Sequence, residues 1–297
     1  MAMISVNVTG QDWASAAPLA PALHALPPRA AVTVMIHGYR YSPRDPANDP
    51  HRHILSPRGG SARWKSVSWP RHLRLDRTEA ALGISLGWHA RGHLQGAARR
   101  AFDAGDALAD LLCAIKAARP DIHVNLIGHS LGARVALAAM AGLPAAHVDR
   151  VILLSGAEYR SLALAAMASP AGRTAQVLNV TSGENLIFDC GFRLAVPAPH
   201  PRDWPIAAGL HQVPGWTDLR IDCPDNRAAL DRIGLGIRPP RVRICHWSSY
   251  LRPGLFRLYR RVCDPSQPDI LPRLADALPR PERSRATRGP VPRLSPL

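Results

Sequence analysis

The serine in Gly128-His129-Ser130-Leu131-Gly132 has glycine two residues away on each side. A strand-like stretch, 122–127, precedes this segment and an Ala-rich run, 133–139, follows it. Such a serine on a sharp strand-to-helix turn takes strained backbone angles that lift its hydroxyl above the sheet edge. The turn brings strand and helix so close that the positions flanking the serine must lack bulk, a need that Gly128 and Gly132 meet. The helix that starts at Leu131 points its amide dipoles at negative charge developing on a substrate. The chemistry on offer is nucleophilic attack by Ser130, which requires a neighbouring base at neutral pH.

The elements that must position this serine read as an alternation. Residues 4–8 alternate like a half-buried edge strand, residues 31–36 read as a buried strand, and 82–86 is a weaker strand candidate. Residues 95–118 carry Ala107, Leu108, Leu111, Leu112 and Ile115 on one helical face, and Pro120 ends that helix. Strands follow at 122–127, 151–154 and 177–181, with helices at 133–141 and 162–168 between them. Residues 241–244 read as the last strand and 255–262 as a closing helix. Strand and helix in alternation predict an α/β fold: a doubly wound, mostly parallel sheet flanked by helices. Ligands of such sheets bind outside the carboxyl ends of the strands, so chemistry is sought just after each strand.

The strand at 31–36 runs into His37-Gly38-Tyr39. His37-Gly38 after a buried strand, Gly128-His129-Ser130-Leu131-Gly132, and a histidine near the C-terminus together resemble the α/β-hydrolase superfamily, over roughly residues 4–263. The likeness is to serine esterases and lipases, and it extends to an uncharacterised bacterial subgroup with phrases similar to Asn179-Val180-Thr181-Ser182 and His246-Trp247-Ser248-Ser249-Tyr250. The resemblance implies a catalytic triad in the order Ser, acid, His. It implies an oxyanion hole made by the backbone amides of Tyr39 and Leu131, with Gly38 letting the chain approach the reacting carbonyl. Of the 13 histidines, His246 fits the base by rank and by its place after the last expected strand. His37 reads as a structural histidine bonding its own loop. His129 is expected to be structural too, pointing away from the hydroxyl. His51 and His53 read as a loop feature, with no third ligand to make a zinc site.

The acid belongs in the loop after the strand at 177–181, Ser182-Gly183-Glu184-Asn185-Leu186-Ile187-Phe188-Asp189. Relatives of the superfamily place their aspartate at the position of Asn185, so this chain departs from the pattern. Glu184 is the first candidate and Asp189 the alternative acid; Asn185 as a neutral orienter, or no third member, completes the set. The carboxylate's work is to orient the imidazole and stabilise its protonated form.

Composition bounds the rest. A chain of 297 residues with 46% hydrophobic and 20% charged residues can bury one large core. No apolar run is long enough for a membrane-spanning helix. The early uncharged stretch, 13–28, lacks a basic leader and is broken by Pro18 and Pro21, which argues against a secretory signal. Five cysteines, an odd number without a C-x-x-C pair, fit reduced thiols and a cytoplasmic protein. The net charge is +15, and Lys65 and Lys116 are the only lysines among the 37 basic residues. No nucleic-acid motif accompanies that charge, so a nucleic-acid partner is not expected.

The expected organisation is a hydrolase domain over 1–263 and a Pro- and Arg-rich tail over 264–297, mostly disordered, with a short helix possible at 270–278. Two long irregular stretches, 41–77 with Trp64 and Trp69 and 193–240 with Trp204 and Trp216, are candidates for pocket walls or ordinary packing. The function expected is hydrolysis of a carboxylic ester, on a small-molecule or lipid-like substrate, without metal or cofactor. Two other classes stay open. One is a hydrolase-fold binding or scaffold protein without catalysis, and the other is a basic protein docking on nucleic acid or an anionic membrane.

Overall fold

The computed structural model describes residues 3–58 and 67–279. Trp64 and the part of the expected tail from residue 280 onward lie outside the described residues. Eight strands form one sheet among the described residues: β1 Met3–Thr9, β2 Asp12–Ser15, β3 Ala31–Ile36, β4 Ala81–Gly87, β5 His123–His129, β6 Arg150–Leu154, β7 Gln176–Thr181 and β8 Trp216–Arg220. Their order across the sheet is β2-β1-β4-β3-β5-β6-β7-β8. Only the β1–β2 hairpin is antiparallel; the other neighbours pair in parallel. This is the α/β architecture expected from the alternation.

Parallel strands covered on both faces bury every side chain, so they read as continuous apolar runs. In β3 and β6 every residue is buried. The helix Leu94–Ala118 lies over one face beside the helix Leu131–Gly142. Small residues let these two helices meet: a Cβ added at Gly105 would lie 2.6 Å from the Cβ of Ala138. Helices Leu255–Cys263 and Ile270–Ala277 cover the other face with Leu258, Val262 and Leu274.

The strand order also locates the site. The connection out of β3 leads to β4 on one side, whereas that out of β5 leads to β6 on the other. The crevice between the carboxyl ends of β3 and β5 is therefore the topological switch point, where open α/β sheets bind ligands. His37-Gly38-Tyr39 and Ser130 stand on its two sides.

Three expectations are corrected here. The strand at 4–8 is internal, because Asp12–Ser15 pairs against it and forms the edge. Residues 241–244 are irregular, with Val242 and Ile244 exposed. Their alternation of arginine with Val and Ile copies a strand's period, but no neighbouring strand accepts it. The last strand is β8, inside the stretch expected to be irregular, and its Asp218 is satisfied by Trp216 Nε1, Asn179 Nδ2 and the amide of Leu210.

The third correction concerns the domain boundary at 263. The helix Ile270–Ala277 buries Ile270, Leu271 and Leu274 in the same core as Leu258 and Val262. The backbone carbonyls of Val262, Asp264 and Gln267 all accept from the Arg150 guanidinium at the start of β6. The fold thus continues to residue 279 at least. We predict that Leu274→Ala destabilises the protein by about 2–5 kcal/mol, as for other buried leucines. Urea unfolding followed by tryptophan fluorescence checks this; no shift of the midpoint would mean that the helix adds nothing to the domain.

Candidate active site

Ser130 sits between β5 and the helix Leu131–Gly142 with φ 55° and ψ −123°. A non-glycine residue at positive φ costs roughly 1–3 kcal/mol and persists only where its surroundings over-determine it. Here they do. The Ser130 amide donates to Leu154 O at 3.0 Å, and its carbonyl accepts from the amides of Ala133 and Ala157, each at 3.0 Å. Close approach on both sides explains the glycines. A Cβ at Gly132 would lie 2.4 Å from Ile36 O, and one at Gly128 would lie 2.4 Å from Gly132 O. A Cβ at Gly38 would meet the Cβ of Ser130 at 2.7 Å. The loop after β3 therefore lies directly against the serine. Leu131 opens its helix, so its amide has no intrahelical acceptor.

His37 is fully buried. Its Nε2 accepts from the Trp88 amide at 3.0 Å, and its Nδ1 donates to Gly38 O at 2.9 Å. Both ring nitrogens are thus used as in a neutral imidazole, and the ring stacks on Trp88. Burial lowers its pKa to about 3. It is a brace for its own loop. Likewise His129, one residue before the serine, donates from Nε2 to the backbone carbonyl of His246 at 3.1 Å, and burial lowers its pKa to about 4.

That bond brings His246 to the site. The ring centroids of His129 and His246 lie 4.6 Å apart, and Phe188 stacks on the His246 ring at 4.7 Å. The amide of Cys245 donates to Glu184 O at 2.9 Å. The irregular segment carrying His246 is therefore pinned to the ends of β5 and β7 by hydrogen bonds rather than by a strand of its own. Burial first, and then the His129 ring, hold the His246 pKa well below the usual imidazole value.

The partner of His246 Nδ1 is Asn185, whose Oδ1 lies 2.6 Å away. The Asn185 amide nitrogen in turn donates to Asp189 Oδ1 at 2.8 Å. Glu184, the first candidate for the acid, lies elsewhere. Its carboxylate is buried and receives Arg252 Nη2 at 2.5 Å and the Ser182 hydroxyl at 3.1 Å. Successive residues of the tight turn Gly183–Asn185 point in different directions, so only one of 184 and 185 can face the imidazole. Asp189 is one turn along the helix Leu186–Ala195 and reaches His246 only through Asn185. The side chain that the structure places at the imidazole is the neutral amide of Asn185.

Other residues singled out in the sequence are placed as follows. His51 Nε2 contacts Asn7 Oδ1 and His53 Nε2 donates to Ala47 O. Trp69 is buried against His129 and Tyr250, and Trp216 is packed in the core. Trp204 is exposed, stacks under the Arg193 guanidinium, and borders a cavity of about 370 Å³ with Leu186, Asp189 and Ala207. Among the described residues no helix is long and apolar enough to cross a membrane, and no cluster of three or more His, Cys, Asp or Glu could hold a metal ion.

No family model matches this chain, and no curated protein does. Among solved structures, a lipase-esterase related protein from Clostridium acetobutylicum ATCC 824 aligns with 56% of this chain and 82% of its own, at 10% identity and a TM-score of 0.29. A likeness that low carries no argument about function, which rests on the site itself.

Two outcomes follow from the buried polar groups. Arg252→Met leaves the Glu184 carboxylate buried without its partner and should cost about 3–5 kcal/mol, most of which the double variant with Glu184→Gln should recover; chemical denaturation of the single and double variants measures both. The second concerns Asp189, whose pKa burial raises from 3.8 to about 7. The unfolded chain sheds this proton near its ordinary value and the folded chain only near 7. Stability therefore falls as pH rises through that window and stays lowered above it. Asp189→Asn removes the slope, so its melting temperature relative to wild type should rise between pH 4 and pH 8; an unchanged difference would refute the raised pKa.

Proposed function

We propose that this chain is a serine hydrolase of the α/β-hydrolase type that cleaves a carboxylic ester through an acyl-enzyme on Ser130. The observation that carries the reading is the strained Ser130 turn at the switch point of the sheet, with the His246 loop tied beside it through His129. His246, neutral by burial, takes the hydroxyl proton on Nε2 as Ser130 Oγ bonds to the carbonyl carbon. The amides of Tyr39 and Leu131 receive the oxyanion; one such donor is worth about 3 kcal/mol in the transition state. The imidazolium then passes its proton to the alkoxide oxygen as the C–O bond breaks and the alcohol departs. Water attacks the acyl carbon, giving a proton to Nε2. The acid leaves, and Ser130 recovers its hydrogen. Asn185 orients the imidazole in this scheme, a role that asparagine also fills in papain-like Cys-His-Asn sites.

The neutral Asn185, where an ionised acid is usual, favours a second reading: a hydrolase-fold module that binds without turnover. One experiment separates the two. A fluorophosphonate probe should label wild type and not Ser130→Ala, and hydrolysis of a short nitrophenyl ester should fall by roughly 10⁴-fold or more in that variant. Folded wild type that takes no label and shows no ester hydrolysis would leave the binding module.

A further inference from the structure

The hydrogen-bond chain His246–Asn185–Asp189 has a directional sense. An ionised carboxylate only accepts hydrogen bonds, a side-chain amide donates at nitrogen and accepts at oxygen, and a neutral imidazole donates at one nitrogen and accepts at the other. With Asp189 ionised, Asn185 must present its NH2 to Asp189 and its oxygen to His246, as observed at 2.8 and 2.6 Å. His246 must then hold its proton on Nδ1. Nε2 is left with the lone pair that a base for Ser130 needs.

We propose that Asp189 is a positioning residue that acts through the Asn185 amide to set which nitrogen of His246 carries the proton. This inference rests on the serine-hydrolase reading for its catalytic consequence, but not for the tautomer itself. Asp189 takes no part in proton transfer. When it is protonated, its carboxyl can donate as well as accept, so either orientation of Asn185 is allowed. In the reversed orientation the amide NH2 faces Nδ1, the imidazole proton moves to Nε2, and the ring can no longer accept from the serine.

Asp189 borders the cavity of about 370 Å³, whose walls also hold Cys190 and Arg193 from its own helix and Arg220 from β8. Arg193 is stacked on Trp204 and Arg220 is paired with Asp222. Arg252, behind the loop, is paired with Glu184. The hydrogen bond to the Asp189 carboxylate is thus that of Asn185, and burial raises its pKa to about 7. The switch therefore operates near neutrality.

The test compares wild type, Asp189→Asn and the exchange Asn185→Asp/Asp189→Asn. In the single variant two amides face each other and either orientation is allowed. In the exchange, the carboxylate placed at position 185 accepts from both His246 Nδ1 and the amide placed at position 189, which restores the sense of the chain. The first readout needs no activity: the ¹⁵N shifts of His246, assigned against His246→Gln, at pH 8. Wild type and the exchange should show the Nδ1–H tautomer and Asp189→Asn a mixture. An Nε2–H tautomer in wild type, or the same tautomer in all three, overturns the proposal.

The second readout is the rate of fluorophosphonate labelling from pH 5 to 9. Wild type should slow as pH falls through about 7, the folded-state value for Asp189. Asp189→Asn should be slower at pH 8 in proportion to the His246 Nδ1–H fraction that the first readout gives, about twofold for an even mixture, and should lose the inflection near 7; the exchange should regain the rate. An Asp189→Asn protein labelled as fast as wild type with the same inflection refutes the relay and leaves the Ser130 reading standing. Absence of label in all three, with the tautomers as expected, refutes the Ser130 reading and leaves the relay.

Discussion

The backbone of Gly132 runs so close to the end of β3 that a single methyl group would lie 2.4 Å from the carbonyl of Ile36 and 2.7 Å from that of His37. A helix can approach a neighbouring strand in this way only if its first turn lacks side chains on that side. Once it does, the turn before it has little freedom. Gly128 must clear the carbonyl of Gly132, and Ser130 is left with a positive φ. The loop of Gly38 is then pressed against the serine. The cost of the strained turn is met by backbone bonds at both ends of Ser130, to Leu154, Ala133 and Ala157. The result is a hydroxyl whose position depends on three adjacent parallel strands, not on the loop that carries it.

Around that turn the polar groups are arranged in pairs that tie loops together. His37 joins the β3 loop to Trp88, and His129 joins the β5 turn to the backbone of His246. Both are kept neutral by burial, so they brace without adding charge beside Ser130. Arg134 on the helix Leu131–Gly142 pairs with Glu158 after β6, and Arg252 pairs with Glu184 after β7. Ion pairs buried this deeply are weak evidence for stability, since desolvation offsets most of their attraction. Their geometric consequence is firmer: each links two of the segments that surround the site.

The third member of the site is where a local rule and the tertiary arrangement part. A glutamate and an aspartate are both close in sequence to where the hydrolase resemblance puts an acid, yet neither carboxylate meets the imidazole. Glu184 is drawn to Arg252, a partner 68 residues away in the chain. Asn185, next to it, faces His246, with Asp189 behind. A neutral amide next to the imidazole and an acid one step removed form a chain whose polarity is set by the donor and acceptor inventory of each side chain.

The residues alone determined the parallel sheet and the turn at its centre. Strands covered on both faces must be largely apolar, as 31–36 (with Thr33 its one polar residue) and 151–154 are, and a tight strand-to-helix turn must carry Gly128 and Gly132. These are local requirements, so they are written locally. Tertiary structure alone decided the rest. The strand Trp216–Arg220 is disguised by Asp218, a polar residue acceptable there only because Asn179 and Trp216 donate to it. Residues 241–244 have a strand's alternation but no neighbour to pair with. Which side chain faces His246 depended on where Arg252 lies. A strand or an ion pair is a relation between distant segments, and no single segment encodes its partner.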